Sequence, residues 1–213
     1  MNAADPNEIL DDEAALQLDA NGNLRHLLTL KGLDKALLTD MLDDAEGYLT
    51  APGVLPARSQ SLAGRTVGNL FFEPSTRTRA SFDLAGKRLG ADVLNLDVNT
   101  SSRKKGESIL DTIYTLQAMH VDVMVVRDAS DGVPAYIARH VQPHVSILNA
   151  GESDVSHPTQ GLLDVLTIRQ HKGAFEDLNI AIVGDIRHSR VAMSATHALT
   201  TLGVGDLRLI SPP

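Results

Sequence analysis

Apolar positions along the chain recur with two periods. Leu37, Leu38, Met41, Leu42, Ala45 and Leu49 are spaced for one face of a helix, and Asp34 stands where its N-cap belongs. Gly53, Pro56 and Gly64 then mark a loop. Beyond it short apolar runs alternate with helical stretches. Strands are expected over 66–72, 93–96, 121–126, 145–148, 180–183 and 207–210. Helices are expected over 75–89 (Gly90 at the stop), 107–119, 133–140, 158–170 (Pro158 in its first turn) and 189–202. Repeated strand–helix units predict an α/β fold, a doubly wound parallel sheet with helices on both faces. In such a sheet ligands sit beyond the carboxyl ends of the strands. The polar clusters at 73–79, 99–107, Arg127, 149–160 and 185–190 all fall on such ends.

Composition narrows the chemistry. The chain has 213 residues, enough for one large or two small domains, with 43% hydrophobic and only 3% aromatic residues. Its core must be built from Leu, Val, Ile and Ala. With 19 Lys plus Arg against 27 Asp plus Glu, the net charge of −8 disfavours nucleic acid and anionic membranes as partners. Any anion must be held by a local basic site. The absence of cysteine excludes disulfides, thiolate metal sites and a Cys nucleophile. Residues 1–24 are acidic and weakly periodic, and are expected to form a flexible arm. They show no signal-peptide pattern, and a cytoplasmic location is the default.

The densest candidate is Glu73-Pro74-Ser75-Thr76-Arg77-Thr78-Arg79, where a strand ends and a helix begins. A helix N-terminus offers free N–H groups and partial positive charge, hydroxyls add donors, and Arg adds a planar fork for phosphate oxygens. The pattern fits a phosphate cradle without a glycine loop; a solvated N-cap with surface arginines is the plainer alternative. Asn99 to Ser108 is a polar loop carrying Arg103, Lys104 and Lys105, functional or simply solvated. Its Asn99-Thr100-Ser101 sequon carries little weight without a secretory signal. Arg127, at a strand end, fits an oxyanion clamp or equally a surface ion pair. His157 opens a helix in His157-Pro158-Thr159-Gln160, as a cap or as a catalytic group. Arg190 lies at a further strand-to-helix turn. No Gly-x-Gly-x-x-Gly, P-loop or zinc spacing is present, so neither cofactor nor metal is expected.

Together these clusters resemble the carbamoyltransferases, and among them the aspartate carbamoyltransferases, from about Arg25 to Pro213. Ser75-Thr76-Arg77-Thr78-Arg79 and His157-Pro158-Thr159-Gln160 are similar to stretches shared with the ornithine enzymes. Ser101 to Ser108 and Val183-Gly184-Asp185-Ile186 followed by His188-Ser189-Arg190-Val191 resemble the aspartate type; Met193 departs from it, since close relatives often have Arg there. The resemblance implies a carbamoyl phosphate-binding domain over 25–157, a linking helix over 158–171, and the start of an aspartate-binding domain over 172–213. It implies that Ser75, Thr76, Arg77 and Thr78 hold the phosphate. Arg127, His157 and Thr78 would hold the carbonyl oxygen, and Gln160 would contact the carbamoyl nitrogen. Ser101 and Lys105 would reach a neighbouring subunit's site, Lys105 also meeting aspartate. Arg190 would bind the aspartate α-carboxylate, steadied by Glu73. The catalytic set is then Arg77, Thr78, Arg127 and His157, with no enzyme nucleophile.

The implied reaction makes N-carbamoyl-L-aspartate and phosphate for pyrimidine biosynthesis. The implied assembly is a trimer-based homo-oligomer with shared sites, with a dihydroorotase-like or regulatory chain as a further partner. Another amine acceptor such as ornithine, or a non-catalytic carbamoyl phosphate-binding role, is the alternative. The chain stops after an expected strand, at Ser211-Pro212-Pro213. The second domain is therefore expected to be incomplete, lacking a further arginine and loop for the aspartate side chain.

Overall fold

A computed structural model of the chain describes residues 6–96 and 108–212. The first sheet is parallel throughout, in the order β2 (Asp92–Leu96), β1 (Thr66–Phe71), β3 (Val123–Asp128), β4 (Ser146–Glu152). Side chains alternate across it. Leu70, Met124, Val126 and Ile147 face one way, into a core closed by Ile113 and Leu116 of α4 (Ile109–Ala118) and Ile137 of α5 (Val133–His140). Val67, Phe71, Val125 and Ala150 face the other way, with Phe82 of α3 (Thr76–Arg88) packed against them. Helices thus cover both faces, the doubly wound α/β arrangement that the alternation predicts. α4 begins two residues later than expected, behind a capping box of Ser108 and Asp111; residue 107 lies outside the described residues.

A second core joins α2 (Lys35–Glu46), α6 (Pro158–Lys172), α7 (Arg190–Leu202) and a two-stranded parallel sheet of β5 (Asn179–Val183) and β6 (Asp206–Ile210). Leu38 and Leu42 of α2 meet Leu199 and Leu202 of α7 in it. The second core therefore draws on both early and late parts of the chain. The segment between α1 (Pro6–Leu16) and α2 binds the two cores: Leu27 donates to the Ile147 carbonyl and accepts from Asn149 N–H, both at 2.9 Å, as a short parallel bridge along β4.

The acidic start differs from expectation. From Pro6 to Leu16 it is a helix, α1, and it docks rather than extending into solvent. Leu10 is fully buried, which stabilises the docked state by about 1.5–3 kcal/mol. Gln17, also fully buried, accepts from Leu28 N–H at 2.9 Å and Thr29 N–H at 3.0 Å and donates to the Lys31 carbonyl at 3.2 Å. Asp11 pairs with Lys31 at 2.6 Å, and Asp12 with Arg139. The acids that suggest disorder by composition are partly consumed by these pairs.

Glu13 of α1 is buried beside Glu152 at the end of β4. Ionised, the Glu13 oxygens meet no donor among the described residues; carrying a proton, Glu13 bonds to Glu152. Burial and then the Glu152 charge push the Glu13 carboxyl well above its ordinary range, with Asp12 adding to the rise and Arg139 opposing it. Glu152 is also raised by burial, but it receives Gly132 N–H and the Asn149 amide, so the proton sits on Glu13. Unfolded, a Glu titrates near 4.3. The native chain thus holds a proton that the unfolded chain releases. This contribution to stability is full below that value and is lost as pH rises towards the folded one. Glu13→Gln keeps a donor at every pH. Its Tm relative to the parent should climb from pH 5 to pH 8 in scanning calorimetry, and a pH-independent difference would show that no proton is held.

Candidate functional site

At the carboxyl ends of β1, β3 and β4 two helices begin without side-chain caps. Asp34, Ser108 and Ser189 each accept a backbone N–H at the start of α2, α4 and α7. Ser75 and His157, the N-cap residues of α3 and α6, make no such bond. The first N–H groups of α3 and the Ser75 hydroxyl remain available to a ligand, whereas α6 opens on Pro158, which has no N–H, and its Gln160 N–H donates to the His157 carbonyl at 3.0 Å; the positive ends of both helix dipoles lie beside them. Both helices start at a cleft of about 560 Å³ lined by Ser75, Arg77, Thr78, Arg127, His157, Gln160 and Arg190, with Phe82 and Leu163 among its apolar walls. Seven residues singled out from the sequence thus come together. Thr76 opens α3 but is not among the residues lining the cleft. Ser101 and Lys105 lie outside the described residues.

Arg127 enters the cleft from β3 and is buried. Nη1 donates to the Ala150 carbonyl and Nη2 to Glu73 Oε1, both at 3.1 Å, while its buried Nε has no partner among the described residues. Glu73 also receives Arg190, at 3.3 Å to Oε2 and 3.5 Å to Oε1, and Arg190 Nη1 donates to the Ser153 carbonyl at 2.7 Å. One carboxylate therefore bridges two guanidiniums from the two cores. Its partial burial raises the Glu73 pKa, but the two arginines outweigh that and hold it below the ordinary range. Gly151, at φ +120°, permits the approach: a Cβ there would stand 2.6 Å from Arg127 Nη1 and 3.5 Å from Arg190 Cζ.

His157 is buried, and desolvation, then Arg127 and Arg190, lower its pKa to about 4, Glu73 opposing. It is a neutral imidazole near pH 7. The Thr159 hydroxyl lies 3.4 Å from Nδ1, and when it donates there the proton of the ring resides on Nε2. The His157 backbone N–H donates to Ser194 Oγ of α7 at 2.8 Å. Gly161, one turn on, lets α6 lie against α7: a Cβ would sit 3.1 Å from Ser194 atoms and 2.7 Å from Leu30.

Arg190 also borders a second, adjoining cleft of about 470 Å³, with Glu73, Ser153, Asp154, His188 and Ser189. His188 there bonds Asp185 at 3.0 Å. The two clefts place a cation-rich, donor-rich hole next to a polar one, with Arg190 between them. This arrangement suits a phosphorylated carbonyl compound in the first and a carboxylate-bearing partner in the second. Sequence reasoning singled out the stretch 149–160 but gave Gly151, Glu152 and Thr159 no role of their own, and it missed Ser194, for which no local signal exists.

The sequence profile described as aspartate/ornithine carbamoyltransferase, carbamoyl-P binding domain, matches residues 25–170. Among solved structures, the catalytic subunit of M. jannaschii aspartate transcarbamoylase is 36% identical with a TM-score of 0.76, over 89% of this chain and 61% of that one. Trypanosoma cruzi aspartate transcarbamoylase in complex with carbamoyl phosphate is 34% identical at 0.74, over 83% and 54%. Thermus thermophilus ornithine carbamoyltransferase is 27% identical at 0.76, over 89% and 62%. The chain thus spans a little over half the length of these proteins. No helix among the described residues is long and apolar enough to cross a membrane. With the family's profile matching from before α2 into the last turn of α6, the chain belongs to the aspartate/ornithine carbamoyltransferase family.

Proposed function

We propose that the first cleft binds carbamoyl phosphate and that the chain serves carbamoyl transfer to the α-amine of L-aspartate. The observation that carries the reading is the uncapped start of α3 facing Arg127 and His157 across one cleft. Ser75, Thr76 through its backbone, Arg77 and Thr78 take the phosphate. Arg127, the His157 Nε2–H and Thr78 donate to the carbonyl oxygen. The amine attacks the carbamoyl carbon and negative charge gathers on that oxygen, where a preorganised donor is worth about 3–4 kcal/mol of barrier. The carbon–oxygen bond to phosphate then breaks, phosphate departs into the α3 N-terminus and Arg77, and the amine proton is lost. Holding both substrates supplies much of the remaining acceleration.

Aspartate is favoured as acceptor by the higher identity to the aspartate enzymes and by Arg190 at the junction of the clefts, available for an α-carboxylate. The product would enter pyrimidine synthesis in the cytoplasm. Ser101 and Lys105 would complete the site from an adjacent copy in a trimer-based oligomer.

Calorimetric titration with carbamoyl phosphate, followed by transfer of labelled carbamoyl groups to aspartate and to ornithine, tests the reading. Binding with transfer to aspartate is expected. Transfer to ornithine alone would reassign the acceptor, and no binding of carbamoyl phosphate would overturn the site.

A further inference from the structure

A carbamoyl group differs from an acetyl group only in carrying –NH2 where the other carries –CH3. A site that tells them apart must present an acceptor to the nitrogen. The guanidiniums of Arg77, Arg127 and Arg190 lining the first cleft only donate, and the Ser75 and Thr78 hydroxyls, which could also accept, are taken up by the phosphate and the carbonyl oxygen in the proposed binding mode. Gln160 is the side chain there with both an amide donor and a carbonyl acceptor, and which end it presents decides the matter.

The structure answers through Asp164, one turn further along α6. Gln160 Nε2 donates to Asp164 Oδ1 at 2.9 Å. A carboxylate only accepts, so the amide must turn its nitrogen towards Asp164 and its carbonyl oxygen is left for a ligand. The opposite rotamer would set two acceptors against each other beside Asp164 and a donor against the ligand's N–H. Asp164 is half-buried, and desolvation raises its pKa, partly offset by the Gln160 bond. Such a carboxylate is costly to keep unless its bond is made. It is not itself among the residues lining the cleft, so it acts through Gln160. We infer that Asp164 is a positioning residue that fixes the Gln160 amide with its oxygen towards the carbamoyl nitrogen and so gives the site its preference for carbamoyl over acetyl phosphate. The inference rests on the proposed binding of carbamoyl phosphate in this cleft.

The test measures the dissociation constants of carbamoyl phosphate, acetyl phosphate and inorganic phosphate for the parent chain, Asp164→Leu, Asp164→Asn and Gln160→Leu. One neutral hydrogen bond corresponds to roughly a fivefold change in affinity. Asp164→Leu should weaken carbamoyl phosphate by about that factor and leave acetyl phosphate and inorganic phosphate unchanged. Asp164→Asn, which accepts either amide orientation, should lose only part of the preference, and it carries the test if the Leu variant does not fold. Gln160→Leu should lose the preference as fully as Asp164→Leu.

Loss in the Gln160 variant without loss in either Asp164 variant overturns the positioning role alone. No loss in the Gln160 variant overturns the contact to the carbamoyl nitrogen and the inference with it. Equal weakening of all three ligands by Asp164→Leu marks Asp164 as merely structural. A parent chain that binds phosphate but neither acyl phosphate overturns the functional reading itself.

Discussion

Arg127→Met is expected to lower the rate of carbamoyl transfer to aspartate by about 10²–10³-fold at saturating substrates, the cost typical of deleting one preorganised oxyanion donor. Arg127 suits that role because its buried guanidinium is already held at both ends, by the Ala150 carbonyl and by Glu73, each at 3.1 Å. It needs no reordering when charge develops on the substrate. Methionine fills much of the same volume, so the change removes charge and donors more than packing. Glu73 retains Arg190, which stays tethered to the Ser153 carbonyl at 2.7 Å. The KM for aspartate should accordingly shift less than kcat. Steady-state kinetics and a melting curve on the same preparation decide the outcome. An unchanged kcat would return Arg127 to the role of an ion-pair partner for Glu73, and a loss explained by unfolding at the assay temperature would do the same.

Arg77→Ala should weaken carbamoyl phosphate binding by roughly 10–100-fold, the equivalent of one charge-assisted hydrogen-bond pair. Unlike Arg127, Arg77 is exposed; its backbone carbonyl accepts the Ser81 hydroxyl at 2.9 Å, a bond the substitution leaves in place. Tm should therefore barely move. Arg77→Lys restores charge but not the planar fork, so its affinity should fall between the two. Calorimetry with inorganic phosphate should show the same order, because the interaction is with the phosphate and not with the carbonyl. Wild-type affinity in the alanine variant would show that the α3 N-terminus holds the anion without it.

The cradle was legible because everything it needs is consecutive. An apolar strand runs into Ser75-Thr76-Arg77-Thr78, and a helix must start there, with its N–H groups where the strand ends. The same holds for His157-Pro158-Thr159-Gln160. What escaped the sequence depends on partners far along the chain. The acidic start reads as an arm because its buried contacts, Gln17 to Leu28 and Glu13 to Glu152, have no signature within a short window. β4 was expected to stop near Leu148 because Asn149, Ala150, Gly151 and Glu152 have low strand propensity. The strand continues because tertiary bonds consume those polar groups, with Asn149 donating to the Leu28 carbonyl and Ala150 accepting from Arg127. The basic loop with Ser101 and Lys105 lies outside the described residues, so its role rests on resemblance alone.

The bridge from Leu27 to β4 has a consequence for synthesis. Leu27 pairs beside Leu148, Leu38 and Leu42 of α2 pack on Leu199 and Leu202, and Lys35 meets Glu176. These segments therefore have their partners among ones made much later. At 5–20 residues per second, those leucines wait on the order of ten seconds before anything can cover them. Contacts this distant in sequence also close slowly after release, because a long loop must be ordered before they form. Those leucines, silent in the finished molecule, are thus a surface open to a ribosome-associated chaperone while their partners are still being made.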